Sequence, residues 1–213
     1  MDFIKQPMEI ENRSMEIIAP YLAEYKLSEA EIKVYSRMIH ASGDVDYAKV
    51  IRVHPQAIEA MQQALKKGAH IYTDVEMVRT GINKKKLASF GGEVHCLVAD
   101  EKIAAEAKAQ GITRSMAAMR SFGKDLDGAI IAIGNAPTAL FEVLRMVEEE
   151  GIRPAAIVGI PVGFVGAAES KDALVADDSG VEYITVLGRR GGSAMAVAAV
   201  NAMASRAETT NDR

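Results

Sequence analysis

Ala129-Ile-Ile-Ala-Ile133 and Ala155-Ala-Ile-Val-Gly-Ile160 are two short runs without a charged or hydroxyl-bearing residue. A strand with one wet face alternates apolar and polar positions, so unbroken apolar runs of this length predict strands buried on both faces. Working outward, His70-Ile-Tyr-Thr73, Val94-His-Cys-Leu-Val-Ala99 and Tyr183-Ile-Thr-Val-Leu187 repeat the pattern. Helical segments separate them, notably Asp100 to Gln110, Pro137 to Glu150 and Gly192 to Ser205. The alternation predicts an α/β chain forming a single domain: a five-stranded, mostly parallel sheet covered by helices on both faces. The domain is expected over residues 1–206, with a polar, frayed tail over 207–213.

Helices come first in the chain. Glu9 to about Glu24 carries apolar residues at helical spacing. Ser28 followed by Glu31 is a capping box, in which hydroxyl and carboxylate satisfy each other's backbone amides. That helix is expected to stop at Gly43, and another to run from near Pro55 to Lys67.

Composition excludes several classes. The formal charge of −4 gives no field for nucleic acid or an anionic membrane, and aromatics at 5% with no tryptophan give no stacking platform. One cysteine, Cys96, allows neither a disulfide framework nor a thiolate zinc site. Neither a signal peptide nor a membrane span is legible, so a cytoplasmic protein is expected.

In such a sheet ligands bind beyond the carboxyl ends of the strands. Four loops lie there: Thr73 to Gly81, Gly134-Asn-Ala-Pro-Thr138, Gly159 to Glu169 and Gly188-Arg-Arg-Gly-Gly-Ser193. Their glycines suggest a wide, shallow mouth. Arg189 and Arg190 supply bidentate donors for carboxylate or phosphate; an ordinary strand-to-helix turn explains the loop equally well. Neither a dinucleotide fingerprint nor a Walker motif is present. Arg79 follows the first of these strands, and Arg114 and Arg120 flank the apolar patch Met116 to Met119. On the second helix Lys33, Ser36, Arg37 and His40 share one stripe, opposite Ile32, Tyr35 and Ile39. That stripe reads either as a solvated face or as an acid with a guanidinium one turn away, since imidazole exchanges protons near neutrality. His54, His70, His95 and Cys96 read as structural, and no His/Asp/Glu grouping has metal-ligand spacing.

Six collinear segments carry a resemblance over almost the whole chain: Pro7 to Ile18, Arg37-Met-Ile-His-Ala-Ser-Gly-Asp44, Tyr72 to Ile82, Gly134 to Leu140, Pro161 to Lys171 and Gly188 to Ser193. In these the chain resembles the precorrin-8X and cobalt-precorrin-8 methylmutases. The resemblance implies an isomerase of cobalamin biosynthesis that shifts a methyl group from C11 of ring C to C12 of a corrin precursor, giving hydrogenobyrinate or, with cobalt inserted, cobyrinate. It implies a homodimer working without cofactor or metal. The catalytic histidine falls on His40, and substrate contacts fall on Ser14 and Arg37. Thr73, Arg79, Arg114, Arg120, Arg189 and Arg190 are the further groups available to a tetrapyrrole rich in carboxylates. A transferase using S-adenosylmethionine or a nucleotide, and a corrinoid carrier, are the competing readings. The first needs an added donor; the second leaves the pigment unconverted.

Overall fold

The computed structural model describes residues 3–209. Helix α1 (Pro7–Leu22) and helix α2 (Glu29–Ser42) come first. The capping box is present as read: Ser28 Oγ accepts the Glu31 amide, the Glu31 side chain accepts the Ser28 amide at 2.9 Å, and Gly43 closes the helix in the left-handed conformation. Strand β1 (Ile51–Val53) and helix α3 (Ala57–Lys66) follow. The alternating part then runs β2 (Ile71–Thr73), α4 (Glu76–Gly81), α5 (Lys84–Ala88), β3 (Val94–His95), α6 (Glu101–Gln110), α7 (Arg114–Phe122) and β4 (Ile130–Ile133). It closes with α8 (Pro137–Glu149), β5 (Ala156–Gly159), α9 (Ala167–Ala176), β6 (Tyr183–Val186) and α10 (Ser193–Thr209).

All five expected strands are present, and they pair in parallel. The expected count falls short by one, because β1 pairs antiparallel with β6 through Ile51 opposite Val186. The sheet therefore has six strands in the order β1-β6-β5-β4-β2-β3. β1 escaped the sequence reading because it holds only three residues and exposes Arg52 in the middle. β3 is shorter than its apolar run, ending at His95.

The double-faced apolar runs do what their pattern requires. On β4, Ile130 and Ala132 face a core built with α2, α3, α4, α5 and α10, while Ile131 and Ile133 face a second core under α7, α8 and α9. α10 continues to Thr209 with Ala207 buried in the first core, and residues 210–213 of the expected tail lie outside the described residues. Among the described residues no helix is long and apolar enough to cross a membrane.

One charged cluster stitches the second layer. The Glu142 carboxylate on α8 is fully buried and accepts from Arg120 Nε on α7 at 2.8 Å and from Arg145 Nε at 3.0 Å. Burial pushes the Glu142 carboxyl up, and the bonds from Arg120 and Arg145 outweigh that, holding it below the usual carboxylate range. Charge-assisted bonds of this kind contribute about 1.5–3 kcal/mol; with both arginines a third exposed the lower half applies. Glu142→Ala is expected to lower Tm by roughly 3–9 °C. The wild-type advantage is present above the ordinary carboxyl pKa and disappears as pH falls through the depressed value, which melting curves of both proteins across acid pH will show.

Candidate active site

Chain order and spatial order part company between β2 and β4. β3 is added on one side of β2, and β4, β5 and β6 on the other. The helix after β2 enters the α10 layer, and the helix after β4 enters the opposite layer. The two turns diverge at the carboxyl ends of β2 and β4, which makes this crevice the topological switch point where open α/β sheets bind ligands. A cavity of about 470 Å³ lies there, lined by Val75, Val98, Arg114, Asn135, Pro137 and Thr138 among others.

Asp74 builds the floor of this crevice. Its fully buried carboxylate accepts the backbone amides of Gly134 at 3.0 Å, Asn135 at 2.8 Å and Ala136 at 2.7 Å. The turn before α8 thus receives an anion, but one the protein supplies. Burial holds the Asp74 carboxyl above its ordinary range, and the three amides offset only part of that rise. Gly134 has to be glycine, since a Cβ there would stand 2.7 Å from Ser193 Cα. Thr73 is also fully buried, and its Oγ1 donates to the His95 carbonyl at 3.0 Å, so it ties β2 to β3 instead of facing the mouth.

The loops after β5 and β6 form the next stretch of rim. Gly163 N donates to the Arg189 carbonyl and Gly192 N to the Ile160 carbonyl. A Cβ on Gly191 would meet the Ile160 and Pro161 carbonyl oxygens at 2.6 Å, so only glycine allows this approach. Lys171 on α9 locks the pair from below. Its fully buried ammonium donates to the Pro161 carbonyl at 2.9 Å and the Arg190 carbonyl at 2.6 Å. On the outer side the Arg189 guanidinium lies 5.6 Å from the Phe164 ring centre, and Phe164 is 83% exposed. Arg190 reaches Asp44 at 3.0 Å and covers the Tyr47 ring.

His40 lies elsewhere, in a groove of about 320 Å³ on the helical layer, lined by Arg37, His40 and Ala41 of α2, Asn83 and Lys86 at α5, and Ala198 to Ser205 of α10. Asn201 forms the wall: its side-chain oxygen accepts the Asn83 amide at 2.9 Å and its nitrogen donates to the Gly81 carbonyl at 3.1 Å. Arg37 pairs with Glu11 of α1, and Ser14 stands one turn beyond Glu11 with its hydroxyl donating to the Ile10 carbonyl. Arg37 and His40 thus share the groove one turn apart on α2, while Ser14 stands on α1 outside its lining, one turn past the Glu11 that pairs with Arg37. The His40 ring is exposed and takes no hydrogen-bond partner among the described residues.

The expected site residues thus fall into groups. Arg114 lines the switch-point cavity, and Arg79 sits on α4 next to it, paired with Glu76 at 2.6 Å. Arg189 and Arg190 hold the neighbouring loop. Arg120 stands in the α7–α8 layer, committed to Glu142 and to Gln110 at 2.8 Å. The stripe on α2 is also shifted: Ser36 is buried and Ile32 is exposed, because α2 is covered by both α1 and α10. Asp74, Lys171 and Asn201 escaped the sequence reading. Asp74 carried one signal, an acid directly after a strand, but its partners lie 60 to 62 residues downstream.

Burial pushes the Lys171 ammonium down to about 8 from an ordinary 10.5. Between those two values the unfolded chain holds a proton that the folded chain has shed, so this group makes stability rise with pH. The denaturation midpoint of the wild type is expected to gain on that of Lys171→Met from pH 8 to 10.5, and a flat difference would contradict the assignment.

Comparison with known proteins follows the same lines. A sequence model of the family described as CbiC, precorrin-8X methylmutase, matches residues 9–206. A cobalt-precorrin-8 methylmutase of Priestia megaterium is 40% identical over 204 residues, covering 96% of this chain and 90% of the relative. A precorrin-8X methylmutase of a Sinorhizobium species is 44% identical, covering 95% of this chain and 96% of the relative. The crystal structure of a precorrin-8X methylmutase from Thermus thermophilus superposes with a TM-score of 0.85 at 36% identity, covering 94% of this chain and 98% of that one. With fold, length and sequence in agreement, the chain belongs to the precorrin-8X methylmutase family of isomerases.

Proposed function

We propose that this chain moves the C11 methyl group of a precorrin-8X-type tetrapyrrole to C12, with His40 as the proton donor. The observation that carries the reading is the exposed imidazole beside Arg37 in a groove, without a hydrogen-bond partner among the described residues, in a chain of the methylmutase family. A 1,5-migration is intramolecular, so it needs neither a nucleophile nor a methyl donor. It needs the macrocycle held still and its conjugation biased. A proton placed on the ring system by His40 draws electron density from the migration terminus and lowers the barrier. General acid assistance contributes roughly 10²–10⁴-fold, and positioning supplies the remainder.

Positioning falls to the guanidinium groups. Arg37 is one turn from His40 and gives up Glu11 to hold a substrate carboxylate, with Ser14 as a neighbouring hydroxyl. Arg114, Arg79, Arg189 and Arg190 stand on the rim. Arg120, committed to Glu142, contributes least, and buried Thr73 acts only through the strand edge. The two cavities, about 320 and 470 Å³, are near the lower end of small-molecule pockets. A homodimer fits this reading, since a second copy would enlarge the site and cover the Phe164 and Val165 side chains, 83% and 89% exposed; a single-chain mass at sedimentation equilibrium would end that part of it. We place the enzyme in the cytoplasm, working without a cofactor.

His40→Ala is expected to bind the tetrapyrrole with near-normal affinity and to convert it at least about 100-fold more slowly. The absorption spectrum of the pigment, with and without cobalt, before and after mixing with pure protein, reads both quantities. Conversion only after addition of a methyl donor would make the protein a transferase, and tight binding without conversion by the wild type would make it a carrier. Normal turnover by His40→Ala would remove the imidazole from the mechanism.

A further inference from the structure

The edge of the sheet opposite β1 brings His70 to Glu93 and His95, which follow it by 23 and 25 residues. β2 and β3 pair with Ile71 opposite Val94 and Tyr72 opposite His95. Side chains alternate along a strand, so His70 and Tyr72 point to the same face of β2 and Glu93 and His95 to that face of β3. One ligand atom from each of His70, Glu93 and His95 lies within 4.8 Å of the other two. His95 Nε2 stands 3.2 Å from His70 Nδ1, a hydrogen bond between the rings, and His70 Nδ1 also accepts the Glu93 amide at 3.2 Å, so a bound ion takes the place of both contacts.

We propose that His70, Glu93 and His95 form a binding site for one divalent first-row transition-metal ion of the zinc class, which clasps edge strand β3 to β2. The spacing of the nitrogens suits this. Two nitrogens on one tetrahedral zinc, each at about 2.0–2.1 Å, stand about 3.3 Å apart, close to the 3.2 Å observed. Two imidazoles with one carboxylate select zinc, cobalt, nickel or copper over magnesium and calcium, which prefer oxygen. Glu93 is exposed, so rotation of its side chain closes the remaining gap.

The His95 ring is already held in place. It stacks on Tyr72 with centroids 5.0 Å apart and planes 23° apart, and Tyr72 is fixed in turn by Phe122 at 4.6 Å. The stack fixes the plane of the ring before any ion arrives. Asp125 acts electrostatically on His95 from outside the trio and adds negative charge to the neighbourhood. The fourth tetrahedral position is left to water.

The clasp has a structural purpose. β3 has only two residues and a neighbour on one side only. It leads within three residues to Val98, a wall of the switch-point cavity, and its His95 carbonyl receives the Thr73 hydroxyl. An ion joining β2 to β3 therefore fixes that wall. It stands outside the proposed proton transfer, and removing it leaves His40 untouched.

The test uses the full chain, stripped with a chelator and titrated with Zn²⁺ by calorimetry and with Co²⁺ by visible absorption. One ion per chain is expected, with the intense visible bands of four-coordinate cobalt and a Tm that rises with Zn²⁺. His70→Ala and Glu93→Gln, both on the exposed side of the trio, are expected to weaken binding tenfold or more, and His54→Ala to leave it unchanged. His95→Ala is read only if its circular dichroism matches the wild type, since it also removes the Tyr72 stack. Wild-type binding no tighter than that of His70→Ala, an octahedral cobalt spectrum, or equal loss in His54→Ala would overturn the site.

Discussion

The mouth of this molecule depends on one buried carboxylate. Asp74 leaves β2 at the point where the chain's path through the sheet reverses, and takes three consecutive amides from the turn after β4. Those amides belong to the start of α8, whose unpaired N–H groups and dipole favour an anion. Many α/β proteins leave such a place to a ligand's phosphate. Here it is filled from within, so the turn is held without a ligand. On the function proposed above, a substrate carboxylate finds its donors elsewhere, in the arginine side chains of the rim.

Lys171 solves the complementary problem in the next two loops. A backbone carbonyl from each, Pro161 and Arg190, turns towards α9 and accepts from the Lys171 ammonium. A buried ammonium with two carbonyl partners and no carboxylate in contact is costly, which is why its pKa is depressed. The arrangement is tolerable because each lost water contact is replaced by a short bond to a backbone oxygen. Asp74 and Lys171 thus hold opposite parts of one rim, each by bonds from a charged side chain to backbone, and neither side chain is accessible.

How much of this was legible in the sequence depended on distance along the chain. The capping box at Ser28 and Glu31 and the stop at Gly43 could be read because partner and signal lie within one turn. The five parallel strands could be read because burial on both faces leaves an unbroken apolar run. β1 could not, since its identity lies in pairing with Val186 and its own three residues carry no pattern. Asp74, Lys171 and the His70–Glu93–His95 trio were invisible for the same reason: each is defined by cross-sheet register or by loops far apart in sequence. The α2 stripe failed differently. A helix covered on two sides buries residues outside a single apolar face, so Ser36 went inside and Ile32 did not.

The buried charges of the rim, Asp74 and Lys171, are held by bonds to backbone. The exposed imidazole of His40 takes no hydrogen-bond partner among the described residues, yet it is not remote from the rim. Asp44 lies four residues past His40 and meets Arg190, so the end of α2 and the last rim loop share a contact. Both partners are over a third exposed, and an ion pair of that kind contributes no more than about 1 kcal/mol. Carboxylates of the protein thus occupy Arg37 and Arg190 through two exposed ion pairs, one on each side of His40 along the chain. On the function proposed above, a substrate carboxylate replaces Glu11 and Asp44 at nearly equal cost, so that binding the anion and presenting the macrocycle to His40 become the same event.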